Sequence, residues 1–277
     1  MTPSSTAPNK GGTSLSKTRI AHFFRRHGGT LLALAAIALF LAAWEIVAVC
    51  VHKEYMLPRF SAVIVAFGKL WATKDFYVHT GATLLRCFIG FAIAFAAGAV
   101  VGVLGGVFPL VRSFFKPIVA FFRAAPTMGL TLIVLVWLRA AYTPVCIGFL
   151  MVFPIIYTTI ADAVATAPRA LLEMADVYRM PKGARIRHIY LPHALPMIFS
   201  ACSTAFALNI KATVSAEILA HTLGSVGVHM TIAASDLLDG SALLFAWLLV
   251  AVLLSVAVEA LLKLCERLVK WRYHYAT

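Results

Sequence analysis

The sequence predicts an all-α polytopic membrane protein of about six transmembrane helices, with two short helices held in one polar interval between the fourth and the fifth. Three observations carry that expectation. Mean hydropathy is +0.90, and 61% of the 277 residues are hydrophobic against 13% charged, too few charges to cover a soluble surface. Apolar stretches recur at close to the ~20 residues that cross a ~30 Å hydrocarbon core. Basic residues gather in alternate intervals between those stretches, as they do in cytoplasmic loops.

Residues 1–27 read as a disordered basic cytoplasmic arm, rich in Ser, Thr, Pro and Lys and ending on Arg25 and Arg26. Residues 28–277 read as one transmembrane domain. Its first span, Thr30 to about Val51, is longer than the apolar region of a secretory signal and lacks a small-residue cleavage site, so it is expected to be retained. The interval "SAVIVAFGKLW" that follows suits an amphipathic helix at the membrane surface. Further spans are expected at about 80–107, 117–138, 144–164, 194–219 and 241–264. In the second, Gly90, Ala94, Gly98, Gly102 and Gly106 recur every fourth residue. Small residues at that spacing let another helix approach closely in lipid, here expected to be one of the same chain. Pro126 and Pro154 are expected to bend the third and fourth spans.

Twenty-four Lys and Arg against 11 Asp and Glu give a net charge of +13. In a soluble chain that excess would point to nucleic acid, but no basic patch interleaved with aromatics accompanies it. The excess follows the loops instead. Arg112 and Lys116 sit after the second span, and Arg169, Arg179, Lys182, Arg185 and Arg187 in the long interval. Lys263, Arg267, Lys270 and Arg272 mark the tail, whereas 220–240 carries only Asp236 and Asp239. Lys53, Arg59, Lys69, Lys74 and Arg139 run against the trend. On balance both termini and the long interval belong in the cytoplasm. The five cysteines stand singly and the histidines show no ligand spacing, so neither a disulfide framework nor a metal site is expected. No catalytic constellation is present either.

The long interval, 168–192, is patterned as helix. Pro168 suits a first helical position, and "RALLEMADVY" then places Leu171, Leu172, Ala175 and Tyr178 on one stripe. The run is expected to stop at Met180, before Pro181. A second short helix, "KGARIRHIY", is expected to end at Pro192.

These residues resemble the coupling loop of bacterial ABC-importer permeases: E-A-A, three residues, G, nine residues, I-x-L-P. Here it stands as Glu173-Met174-Ala175 and Ile189-Tyr190-Leu191-Pro192, with the spacing kept. Met174 replaces the second-position alanine, and Arg179 occupies the place of the turn glycine. A glycine there would supply a left-handed stop; in this chain Pro181 is expected to supply it by another route, with Gly183 loosening the next turn. The likeness covers roughly residues 40–265 and is similar to the nitrate/sulfonate/taurine/bicarbonate branch. It includes "AWEIVA", "LPRFSAVIVAF", "TLLRCFIGFAIAFAAGAVVGVLGG", "FFRAAPTMGLTLIVLVWL" and "NIKATVSAEIL".

The resemblance implies a permease of the type I importer fold in a bacterial cytoplasmic (inner) membrane. Its implied partners are a second permease copy (a homodimer), two cytoplasmic ATPase subunits, an external substrate-binding protein and membrane lipid. It implies that Glu173, Met174, Ala175, Arg179, Lys182, Gly183, Leu191 and Pro192 couple to the ATPase. The chain holds no G-x-x-x-x-G-K-[ST], so ATP is expected on the partner, with no cofactor bound here. Inside the spans, Arg123, Lys211 and Glu217 have two readings. Either they line a path for a small anionic solute, Arg123 alternatively pairing with Asp162, or each finds a partner on another helix and holds the bundle together. A gradient-driven secondary transporter or channel is the alternative function, but its internal repeat is not visible.

Overall fold

The structure, a computed structural model, describes residues 14–236 and 240–273, with side chains for 32–236 and 240–267. The expected arm therefore lies outside the described residues up to position 13, as does Asp239 of the interval after the fifth span. The chain divides into two compact units, 1–61 and 62–277.

In the first unit, α1 (Ser14–Val51) begins within the stretch expected as an arm. Its far end is tied to the connection that follows. Trp44 Nε1 donates to Pro58 O at 3.0 Å, and the Glu45 carboxylate accepts the Phe60 N–H at 3.0 Å. A charge near a span end thus serves to cap the first residue of α2 (Phe60–Trp71).

The second unit contains the remaining spans. α3 (Lys74–Val107) starts on Thr73, whose hydroxyl accepts the Phe76 N–H, and α6 (Thr143–Ala165) runs parallel to it. The four-residue stripe of α3 forms this seam. A Cβ at Gly98 would stand 3.1 Å from Ile156 Cβ, one at Gly102 2.9 Å from Ile160 Cβ, and one at Gly106 2.5 Å from Val164 Cβ. The expected neighbour is therefore in the same chain. α9 (Leu191–Ala220) packs antiparallel to α6 and carries α10 (Val226–Ser235) and α11 (Gly240–Tyr273) on its other side. The core between α3, α6 and α9 is built on Ala94, Val152, Ile156, Ile160 and Ala205.

Among the described residues, five helices are long and apolar enough to cross a membrane, or six if one bent pair counts as a span. That pair departs from expectation. The third span is not a helix over 117–138 but two helices, α4 (Pro109–Ala124) and α5 (Thr127–Trp137), bent by 105°. The cause is local. Ala125 precedes a proline and is pushed to ψ 133°, and Pro126 follows at ψ 125°. By contrast, α6 runs through Pro154 as one helix.

A second departure concerns the two short helices. α7 (Arg169–Val177) stands alone, but α8 (Lys182–Arg185) continues through a π turn, Ile186–Tyr190, into α9. Pro192 does not restart the chain. In a regular helix its ring would meet the carbonyl of His188. The π turn widens the spiral there, and the Leu191 N–H reaches back to Ile186 O. The third departure is α10, unforeseen in the interval after span five. Ser225 caps it, its hydroxyl accepting the Val228 N–H at 3.1 Å.

Candidate functional site

The polar window lies between α6 and α9. Thr166 Oγ1 donates to Asp162 O at 2.7 Å and lies 3.4 Å from His193 Nε2, so the two ends of the window meet. α7 begins at Arg169 with Pro168 as its N-cap, one residue later than the sequence placed it. It ends in a Schellman turn. The Arg179 N–H donates to Asp176 O at 3.0 Å and the Met180 N–H to Ala175 O at 2.8 Å.

Arg179 itself takes the left-handed conformation, with φ 50°. This corrects the expectation that Pro181 makes the stop. The turn that glycine would form is formed by arginine, and Pro181 follows it as the N-cap of α8. A non-glycine residue held there costs about 1–3 kcal/mol. Bonds from Arg185 hold the turn: Nε donates to Met180 O at 2.9 Å, Nη1 to the Asp176 carboxylate at 2.5 Å, and Nη2 to Ala175 O at 3.4 Å. One guanidinium thereby joins α7 to α8.

Exposure redraws the apolar stripe. Ala175 is fully buried within the chain and Leu172 is half-buried, so neither is free for a partner. The free row is Leu171, Met174, Val177 and Tyr178, the last two 80% and 78% exposed. Glu173, Arg179, Lys182 and Gly183 are exposed around it, while Leu191 is exposed and Pro192 half-buried at the foot of α9.

The three span charges are not brought together. Glu217 is 0% exposed. Its Oε1 accepts from Arg86 Nη1 at 3.0 Å. Its Oε2 accepts from Thr83 Oγ1 at 3.0 Å and from the Gly227 N–H at 3.3 Å. Arg86 Nη2 also donates to Leu223 O at 3.3 Å, and Thr83 Oγ1 accepts the Val226 N–H at 3.0 Å. Gly227 is required here, because a Cβ would stand 2.5 Å from Glu217 Cβ. Lys211 opens onto a groove of about 510 Å³ between α9 and α11. Glu259 also lines that groove, and its carboxylate is engaged by Lys263 at 2.5 Å.

Arg123 lies in another groove, of about 590 Å³, between α4 and α6. Asp162 is taken by Arg112 rather than by Arg123, whose Nη2 reaches Thr158 Oγ1 at 3.4 Å. Sequence reasoning missed Asn209, fully buried in α9, whose Nδ2 donates to Cys87 O of α3 at 2.8 Å. A buried amide between helices leaves no spacing signal.

The family model described as "Binding-protein-dependent transport system inner membrane component" matches residues 92–271. A riboflavin transport system permease protein of Chloroflexus aurantiacus is 27% identical over 239 residues, 85% of this chain and 88% of that protein. A bicarbonate transport system permease protein of Synechococcus elongatus is 30% identical over 156 residues, 56% of each chain. Among solved structures, an inward-facing conformation of the MetNI methionine ABC transporter aligns with TM-score 0.59 at 19% identity. It covers 69% of this chain and 94% of that one, a likeness of fold.

Proposed function

Because the chain belongs to the binding-protein-dependent transport system inner membrane components, we propose that its polar window is the surface on which a cytoplasmic ATPase docks to drive transport. The chain is the membrane-spanning permease subunit. In this reading both termini and the window face the cytoplasm of a bacterial inner membrane. Two ATPase subunits act on a pair of such permeases, ATP is consumed on those subunits, and an external binding protein delivers the solute. The solute is a small anion, as the basic groove of α4 and the bicarbonate relative suggest.

The observation that carries the reading is the exposed row Leu171, Met174, Val177 and Tyr178 on a short helix whose orientation Arg185 fixes. An apolar side chain fully buried in a partner contributes about 1.5–3 kcal/mol. An exposed rim pair made by Glu173, Arg179 or Lys182 contributes ~0–1 kcal/mol. The apolar row therefore dominates docking, and the rim charges select the partner.

The test is affinity capture of the tagged chain in mild detergent, with the captured ATPase identified by mass spectrometry. Met174→Arg and Val177→Asp, both at exposed positions, are compared with wild type. The expected result is that an ATPase accompanies wild type and is lost from both variants while their elution profiles are unchanged. Equal capture by wild type and variants would overturn the reading. Ala175 is unsuitable for this purpose, since a larger side chain there would break the window itself.

A further inference from the structure

We propose that the groove between α4 and α6 is an oxyanion-binding subsite, in which Lys116 and Arg123 hold a carboxylate, sulfonate or phosphate group and Arg112 stands at its rim. It deepens the permease reading and rests on it for the side of the membrane it faces.

The three cations belong to one stripe. At 3.6 residues per turn, positions 112, 116 and 123 fall within about 40° of one another and extend over about 16 Å of helix. All three line the groove, together with Ser113, Thr158 and Asp162. Asp162 is committed to Arg112, which pins α4 to α6. Lys116 and Arg123 have no carboxylate within ion-pair distance among the described residues. Arg123 has one long contact, to the Thr158 hydroxyl.

The position of Arg123 along α6 gives its unpaired charge a cost. Thr158 lies about 10 Å from the end of α6 at 1.5 Å per residue, so the Arg123 guanidinium reaches a level two turns inside the candidate span of α6 rather than its last turn. A cation at such depth is costly unless it faces water, a partner charge or a ligand. The break at Pro126 turns α4 by 105° from α5, and the basic face of α4 meets α6 through the Arg112–Asp162 pair and the Arg123–Thr158 contact. The volume, about 590 Å³, accommodates a small hydrated anion. The Lys211 groove is a poorer candidate. It carries one cation, and apolar side chains dominate its walls.

Two sources could supply the oxyanion: a solute crossing the membrane, or the phosphate of an anionic phospholipid headgroup. The experiment separates them. The full chain is placed in phosphatidylcholine nanodiscs and its melting temperature is followed against sodium methanesulfonate and sodium sulfate, at constant ionic strength with chloride. A second set of discs contains phosphatidylglycerol and no added oxyanion. The variants are Lys116→Gln/Arg123→Gln and the charge-retaining Lys116→Arg/Arg123→Lys. Sulfate strengthens apolar burial in any protein, so the readout is the difference between variants.

The expected result is a saturable stabilisation in wild type and in the charge-retaining variant. Apparent affinity should fall about tenfold for each cation removed. A response confined to phosphatidylglycerol, and lost in the Gln variant, assigns the same site to a headgroup. No saturable response in either set, or an equal response from the Gln variant, overturns the subsite. ATPase capture is scored separately on the same variants. Capture retained without an anion response removes only the subsite, and the converse removes only the coupling.

Discussion

Two arginines tie separate elements together at opposite ends of the second unit. Arg86 of α3 reaches Glu217 of α9 and the Leu223 carbonyl, beside the start of α10. Arg185 of α8 reaches Asp176 of α7 and the carbonyls of Ala175 and Met180. The chemistry is the same, a guanidinium bridging a carboxylate and main-chain oxygens, but the surroundings differ. Glu217 is 0% exposed and both its oxygens are satisfied, whereas the Asp176 side chain is 67% exposed. A buried pair is costly to break, and a solvated pair contributes little but still fixes direction. The first end is built as an anchor. The second holds its shape at low energy, which suits a segment proposed to transmit motion.

The largest expected effect comes from breaking the anchor. Glu217→Ala leaves Arg86 unpaired in the bundle and should destabilise the protein by about 3–5 kcal/mol. Thermal melts in detergent measure it. The sharper form is the double variant Arg86→Met/Glu217→Leu, which should recover most of the loss because apolar replacement of a whole buried pair is often near neutral. A double variant no better than Glu217→Ala would mean that the bonds to Thr83 and Gly227, not the ion pair, carry the anchor.

Next in size is the seam between α3 and α6. Gly106→Leu places a side chain where even a Cβ would stand 2.5 Å from Val164 Cβ. Overpacking of this kind costs about 1–3 kcal/mol. At Gly68 of α2 a Cβ would meet nothing within 4 Å, so Gly68→Ala should raise stability by roughly 0.5–1 kcal/mol through helix preference. If the two substitutions have equal effects, the stripe is not a packing seam.

These two regions were unequally legible. The seam announced itself, because a close parallel approach of helices demands small residues at a fixed spacing, and Gly98, Gly102 and Gly106 repeat visibly. Glu217 was visible as an in-span charge, but its partner was not, since nothing in sequence links position 217 to position 86 on another helix. In the window the existence and spacing of α7 were readable, and so was the turn position. That Arg179 would take the left-handed state was not, because arginine is a poor indicator of that conformation and the bonds supplied by Arg185 are tertiary. Likewise Pro126 and Pro192 are the same residue with opposite outcomes. A bend opens at the first, where Ala125 is extended, and a π turn absorbs the second. Prolines mark where a helix must adapt without saying how.

Arg179 offers a smaller effect and a cleaner one. Arg179→Gly removes the strain of a non-glycine left-handed residue and should stabilise the chain by about 1 kcal/mol after the added freedom of the unfolded glycine is offset. Because the turn keeps its geometry, capture of the ATPase should be unchanged. Stabilisation with loss of capture would show that the Arg179 side chain is itself a contact.

The smallest expected effect lies at Asp176, and it tests the contrast most directly. Asp176→Asn removes one charge of an exposed pair and should change global stability by only ~0–1 kcal/mol. Yet the Arg185 bond to position 176 would then lose its charge assistance, leaving Met180 O and Ala175 O as its main-chain partners beside a neutral amide oxygen. Local opening does not require global unfolding, so amide exchange over residues 176–186 should accelerate while that of α3 and α9 stays fixed. Glu217→Ala should do the opposite, speeding exchange near positions 83–86 and 217–228 and leaving the window protected. Should Asp176→Asn instead lower the melting temperature as far as Glu217→Ala does, the two ends would be one cooperative unit. The window could not then move without loosening the anchor, and a motor gripping it would be pulling on the whole bundle rather than on a separately hinged part.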